Sequence, residues 1–162
     1  MEGETTMTNA EQQRKIFWEM FDNELDSLGR PFSIAYRTHY ATVNRRSSNS
    51  NYCLSMDFLV AKGFLRIGIY MRDNIPVFTY MYENKDEIEE KLGFKPMWTM
   101  VGERNTNTRR IEIHIPFKPD SIPDYLSLIR KAIPYIMKFK EVIPTYSSGA
   151  CQVLCVNINP EI

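Results

Sequence analysis

The sequence predicts an α+β domain: an antiparallel sheet of about four to six strands with three helices packed on one face. Three observations carry that expectation. Several short segments alternate apolar and polar residues, so each strand has one face to bury and one to leave wet. Three other segments repeat apolar residues at helical spacing. The strands come in adjacent pairs with helices between the pairs, the order of a mixed domain with helices segregated to one side of the sheet.

The first helix opens at Thr8 to Glu11, which reads T-x-x-E, a capping box in which both side chains satisfy free backbone N–H groups. Trp18, Phe21, Leu25 and Leu28 then recur at helical spacing, with Phe17 and Met20 widening the stripe. Gly29 and Pro31 end it, because glycine tolerates the left-handed cap and proline cannot continue a helix. Residues 32–44 read as extended or irregular, and "RRSSNSN" as a polar turn.

Next comes a hairpin. Tyr52, Leu54, Met56, Phe58 and Val60 share one face, and Cys53, Ser55 and Asp57 the other. "AKG" at 61–63 turns the chain into "FLRIGIYMR", where Leu65, Ile67, Ile69 and Met71 alternate with Phe64, Arg66, Gly68, Tyr70 and Arg72.

A second helix begins near Pro76 and is expected to run to Gly93 through Phe78, Met81, Tyr82, Lys85, Ile88 and Leu92. "KPMWTMVG" and "TRRIEIHIPF" read as another antiparallel pair joined by "ERNTNT", with Ile111, Ile113 and Ile115 facing the core and Arg110, Glu112 and His114 facing away. The last helix starts at an S-x-x-D cap, Ser121 to Asp124, and buries Leu126, Ile129, Ile133, Ile136 and Met137. Pro134 is expected to kink or split it and Pro144 to end it. The tail "CQVLCVNI" is expected to add a short strand, either within its own subunit or across a homodimer.

A chain of 162 residues is most simply one domain, residues 1–162, with 1–8 a flexible N-terminus and 147–162 a tail carrying the possible extra strand. The 43% apolar and 25% charged residues are ordinary for a globular protein, and 12% aromatics predict a core rich in Phe and Tyr. The net charge is zero but unevenly spread. Residues 1–29 hold seven acids and two bases, residues 30–72 seven bases and one acid, and residues 73–96 six acids and three bases. A basic middle between acidic flanks is the pattern of either an anion-facing surface or acidic helices lying beside a basic sheet. No apolar run is long enough to span a membrane, and the polar N-terminus has no signal-peptide pattern, so a cytoplasmic protein is expected. Its odd number of cysteines, Cys53, Cys151 and Cys155, then reads as reduced thiols, and C-x-x-x-C without further ligands makes no zinc site. No phosphate loop and no dinucleotide fingerprint is present.

Five segments together resemble a bacterial domain-of-unknown-function family: "FWEMFDNEL", "LRIGIYMR", "YENKDEIEEKLGF", "PMWTMVGERNTNTRRIEIHI" and "IMKFKEVI", covering about residues 15–143. The most specific part is Lys85, Ile88, Glu89, Leu92, Gly93 and Trp98. That family is often found as the C-terminal module of proteins whose N-terminal half looks like a restriction-type (PD-(D/E)XK) nuclease; here the module is expected to stand alone. Pro134 and the tail after Pro144 depart from its pattern. The resemblance implies accessory work in a DNA-processing or defence context, by association with the fused nucleases.

If the hairpins pair as read, one open sheet face gathers Ser55, Asp57, Arg66, Tyr70, Arg72, Arg110, Glu112 and His114, with loop residues Arg45, Arg46, Arg104 and Arg109 nearby. Gly68 in the middle leaves room for a ligand to approach. Arginines pair with phosphates and tyrosines offer stacking platforms, so Arg66, Tyr70, Arg72, Arg110, His114, Arg45 and Arg46 are the candidate nucleic-acid contacts. The bland alternative is that Arg66, Arg110, Asp57 and Glu112 pair with one another on an ordinary wet face. Asp57 with Glu112-x-His114 loosely resembles the D…E-x-K set of metal-dependent nucleases, and Cys53 with His39 or His114 a nucleophilic pair. Neither constellation is complete, so the reading names no catalytic residue, no metal and no cofactor. The expected function is a binding or accessory module contacting nucleic acid; the alternative is a structural or dimerisation domain docking protein through its tail strand.

Overall fold

The computed structural model describes residues 9–44, 52–99, 107–118 and 124–158. In chain order the elements are α1 (Asn9–Ser27), β1 (Ile34–Tyr36), β2 (Tyr40–Val43), β3 (Cys53–Leu59), β4 (Phe64–Arg72), α2 (Ile75–Glu83), α3 (Lys85–Leu92), β5 (Met97–Thr99), β6 (Thr108–Pro116) and α4 (Tyr125–Ile158). The six strands form one antiparallel sheet in the order β1-β2-β3-β4-β6-β5. The expected class therefore holds, with four helices rather than three.

The alternation read from the sequence sets which face is buried. Leu54, Met56 and Phe58 on β3, Leu65, Ile67, Ile69 and Met71 on β4, and Ile111 and Ile115 on β6 are all buried. The helices lie over that face: α4 touches β3, β4 and all three other helices. The core is aromatic, as expected. Phe17 of α1 stacks on Phe58 with centroids 4.0 Å apart, and Phe58 stacks on Phe117 at 4.7 Å. Tyr125, fully buried, meets all three rings edge-on.

α1 ends as read, with Gly29 at φ 79°, but Leu28 lies just past the helix end and is exposed, while Leu25 in the last turn is buried. Residues 32–44, expected to be extended or irregular, contribute two short strands. β1 and β2 form a tight hairpin around Thr38 and His39, closed by a hydrogen bond from the Arg37 N–H to the Tyr40 carbonyl. Thr8 and Ser121, the two expected cap residues, lie outside the described residues.

The helix expected over 76–93 is two. Asn84 breaks it at φ −106°, ψ 23°, and its side-chain amide donates to the Tyr80 carbonyl at 2.9 Å, satisfying an acceptor the next helical turn would have used. At the other end, α4 neither splits at Pro134 nor stops at Pro144. Pro134 sits on the exposed side, where water can serve the carbonyl left without a donor. Around Pro144, Val142, Ile143, Tyr146 and Ser147 are all buried, and that packing holds the helix together across the missing N–H. The tail expected as a strand is the last part of the same helix, which runs to Ile158. Extending a formed helix fixes one residue per hydrogen bond, whereas a lone strand needs an edge to join. The strand-exchange route to a homodimer thus loses its strand.

Candidate functional site

β3, β4 and β6 are neighbours, and their registers decide what meets on the face away from the helices. Asp57 lies opposite Arg66, and Arg66 opposite His114. In the next row Ser55 faces Gly68 and Gly68 faces Glu112; in the row beyond, Cys53 faces Tyr70 and Tyr70 faces Arg110. The sheet therefore brings Arg66, Tyr70, Arg110 and His114 together as read, and among the described residues no helix covers them. Arg72 lies at the end of β4, exposed, 3.9 Å from the exposed Asp73. Arg45, Arg46 and Arg104 lie outside the described residues.

Charge is nearly balanced at the centre. Arg66 Nε donates to Asp57 Oδ2 at 3.1 Å and stands 3.5 Å from Glu112 Oε2. Arg110 Nη1 stands 3.8 Å from Asp57 and 3.9 Å from Glu112. Both carboxylates are buried beneath the arginines, and His114 Nε2 lies 3.6 Å from Glu112 Oε1. Burial, and then the like charge of Arg66, push the Arg110 pKa below its ordinary value, although arginine stays charged over the whole accessible range. Two guanidiniums and two carboxylates thus form a lattice of cross-strand pairs, in which the buried Glu112 Oε2 has charged neighbours but accepts no hydrogen bond among the described residues.

Gly68 is part of this lattice rather than a gap for a ligand. A Cβ there would come within 2.1 Å of the Ile111 carbonyl and 2.7 Å of Glu112 Cα, so the bare glycine is what lets β6 approach β4.

Aromatic rings flank the lattice. The Arg110 guanidinium lies over Tyr70, 4.8 Å from its centroid. Phe64 stacks on His114 at 4.1 Å with planes 11° apart. Phe64 was legible as a wet-face residue of the alternating strand, but its pairing with His114 depends on the β4–β6 register.

The catalytic constellations do not assemble. Asp57 and Glu112 each face two guanidiniums, which repel a cation, and among the described residues no three His, Cys, Asp or Glu side chains converge to hold a metal. Cys53 and His114 sit in different rows, and burial, then the Asp57 charge, push the Cys53 thiol up, away from thiolate. His39 lies on the β1–β2 turn with Nδ1 3.3 Å from Thr38 Oγ1. No helix among the described residues is long and apolar enough to cross a membrane.

The most distinctive sequence run proves structural. Ile88 and Leu92 are core, and Gly93 at φ 84° caps α3. Glu89 is buried, and its carboxylate accepts a hydrogen bond of 3.0 Å from Trp98 Nε1, locking α3 to β5.

No curated protein and no solved structure matches the chain. A family model does, the domain of unknown function DUF4268, over residues 13–147, which take in the sheet, the lattice and the Glu89–Trp98 lock. The chain belongs to that family.

Proposed function

We propose that the domain is a binding module whose open sheet face contacts single-stranded nucleic acid. The observation that supports this reading is a pair of aromatic platforms across β4 and β6, the Arg110 guanidinium over Tyr70 and the His114 ring stacked on Phe64. Tyr70 and Phe64 are six residues apart on one strand, about 20 Å, so the two platforms can serve bases about three nucleotides apart on an extended strand. The bacterial DNA-processing or defence context implied by the family resemblance is consistent with that ligand.

Because the lattice neutralises Arg66 and Arg110, binding would rest on stacking more than on phosphate charge. The expected salt dependence is shallow, a slope of about one to two, since among the face residues described Arg72 is the exposed cation. Fluorescence anisotropy of labelled single- and double-stranded DNA and RNA is the test. Single strands are expected to bind, and Tyr70→Ala or His114→Ala to weaken binding about tenfold with the melting temperature retained. Absence of binding even at low salt, or unchanged affinity in both variants, would overturn the reading.

The neutrality of the lattice favours a second reading, a docking face for protein. A concentration-dependent dimer in sedimentation, insensitive to salt and lost in Tyr70→Ala, would put it first.

A further inference from the structure

At the β1 edge a separate cleft of about 420 Å³ opens between α1 and the β1–β2 hairpin, lined by Glu11, Arg14, Lys15, Tyr36, Arg37 and Thr38. It is away from the charge lattice and shares no residue with it. Its volume is that of a small-molecule site. Three cations face it against one carboxylate. Among the described residues, none of Arg14, Lys15 and Arg37 makes an ion pair, unlike Arg66 and Arg110. Arg14 is the telling one: its Nε is buried with no hydrogen-bond partner. A guanidinium N–H withdrawn from water and left unmatched is costly, and turning the side chain toward an acceptor bound in the cleft would relieve it.

The walls are built from the core outward. Trp18, fully buried, donates its indole N–H to the Thr38 carbonyl at 3.1 Å and so pins the hairpin turn. The Tyr36 ring stacks on Trp18 with centroids 6.2 Å apart and planes 21° apart, yet remains 39% exposed. One side of the ring is thus held by the core while the rest meets solvent. A second hollow of about 380 Å³ shares Tyr36 and Arg37 and adds Tyr40. Cations unpaired among the described residues, beside an aromatic ring held on the core, suit a ligand that carries both a phosphate and a flat base.

We propose that this cleft binds a mononucleotide, with the phosphate on Arg14, Lys15 and Arg37 and the base against Tyr36. Isothermal titration of the full chain with AMP, GMP, CMP and UMP, with inorganic phosphate and adenosine as controls, tests it. At least one nucleotide is expected to bind more tightly than phosphate, and adenosine not to bind. Arg14→Met and the exposed-site reversal Arg37→Glu should each weaken binding about tenfold or more, and Tyr36→Leu should bring the nucleotide down to the affinity of phosphate. Tyr70→Ala should leave it unchanged, which separates this site from the sheet face. Arg37 is exposed, so its variant keeps the fold, as a retained melting temperature would verify. No heat from any nucleotide at millimolar concentration overturns the proposal, as does phosphate binding as tightly as the nucleotides, or nucleotide binding indifferent to Arg37→Glu.

Discussion

Arg66 shows how little a single charged residue means away from its partners. Alone in the sequence it reads as a free cation on a wet strand; in the fold it stands 3.1 Å from Asp57 and 3.5 Å from Glu112, over two buried carboxylates. Removing it leaves Arg110 to serve both carboxylates from 3.8 and 3.9 Å. Stripping one partner from a largely buried pair costs more than the pair is worth, because the remaining charge stays desolvated. Arg66→Met is therefore expected to lose about 2–4 kcal/mol in urea denaturation, and Arg66→Met/Asp57→Asn to lose less than the single change. Equal or greater loss in the double variant would show that the carboxylate is not held by the arginine. The same arithmetic makes Arg66→Ala a poor probe of ligand binding, and Tyr70 and His114 better ones.

At the scale of elements, what was legible depended on whether the signal was local. The alternation of β3, β4 and β6 and the aromatic stripe of α1 were plain, since one apolar face is enough to place each. β1 and β2 were not, because strands of three and four residues carry too few positions to show a period. Asn84 was misjudged because its side chain takes the Tyr80 carbonyl and breaks the helix locally, Pro144 because buried neighbours hold the helix across it, and the tail because a formed helix extends at little cost. Glu89 and Trp98 stood out in the sequence as a signature without a stated role; the role is the hydrogen bond that ties α3 to the short edge strand β5. Hydrogen bonds to a buried charge contribute about 1.5–3 kcal/mol. Trp98→Phe is expected to cost about that much in denaturant melts, and to cost far less in a Glu89→Gln background, where no charge is left to satisfy. Equal costs in both backgrounds would mean the indole acts by packing alone.

Across the whole molecule, the candidate site was legible only as a list of side chains, because its meaning depends on register. The even positions of β4 were correctly placed on the open face, but only the pairing of β4 with both β3 and β6 turns two arginines and two carboxylates into a neutral lattice. The cleft under the hairpin was out of reach altogether, since α1 and β1 meet there through Trp18 and Tyr36, far apart in pattern. The same topology sets how stability is distributed. β4 lies between two long partners and its apolar side chains are fully covered by helices. β1 and β5 are edge strands of three residues, each paired on one side. Edge strands with few ladder bonds open locally, whereas a central strand exchanges only when the domain unfolds. Native-state hydrogen exchange should therefore find the amides of Leu65, Ile67 and Ile69 protected to the full unfolding free energy, and those of β1 and β5 by several kcal/mol less. Because the Tyr36 wall of the cleft lies on β1, a bound mononucleotide should raise protection there, and it should raise that of β4 as well, since a ligand held only by the native state stabilises it against global unfolding. Protection of β1 equal to that of β4 in the free protein would show that the hairpin folds as one unit with the central sheet, and the cleft would then be a fixed part of the core rather than an edge that a ligand can steady.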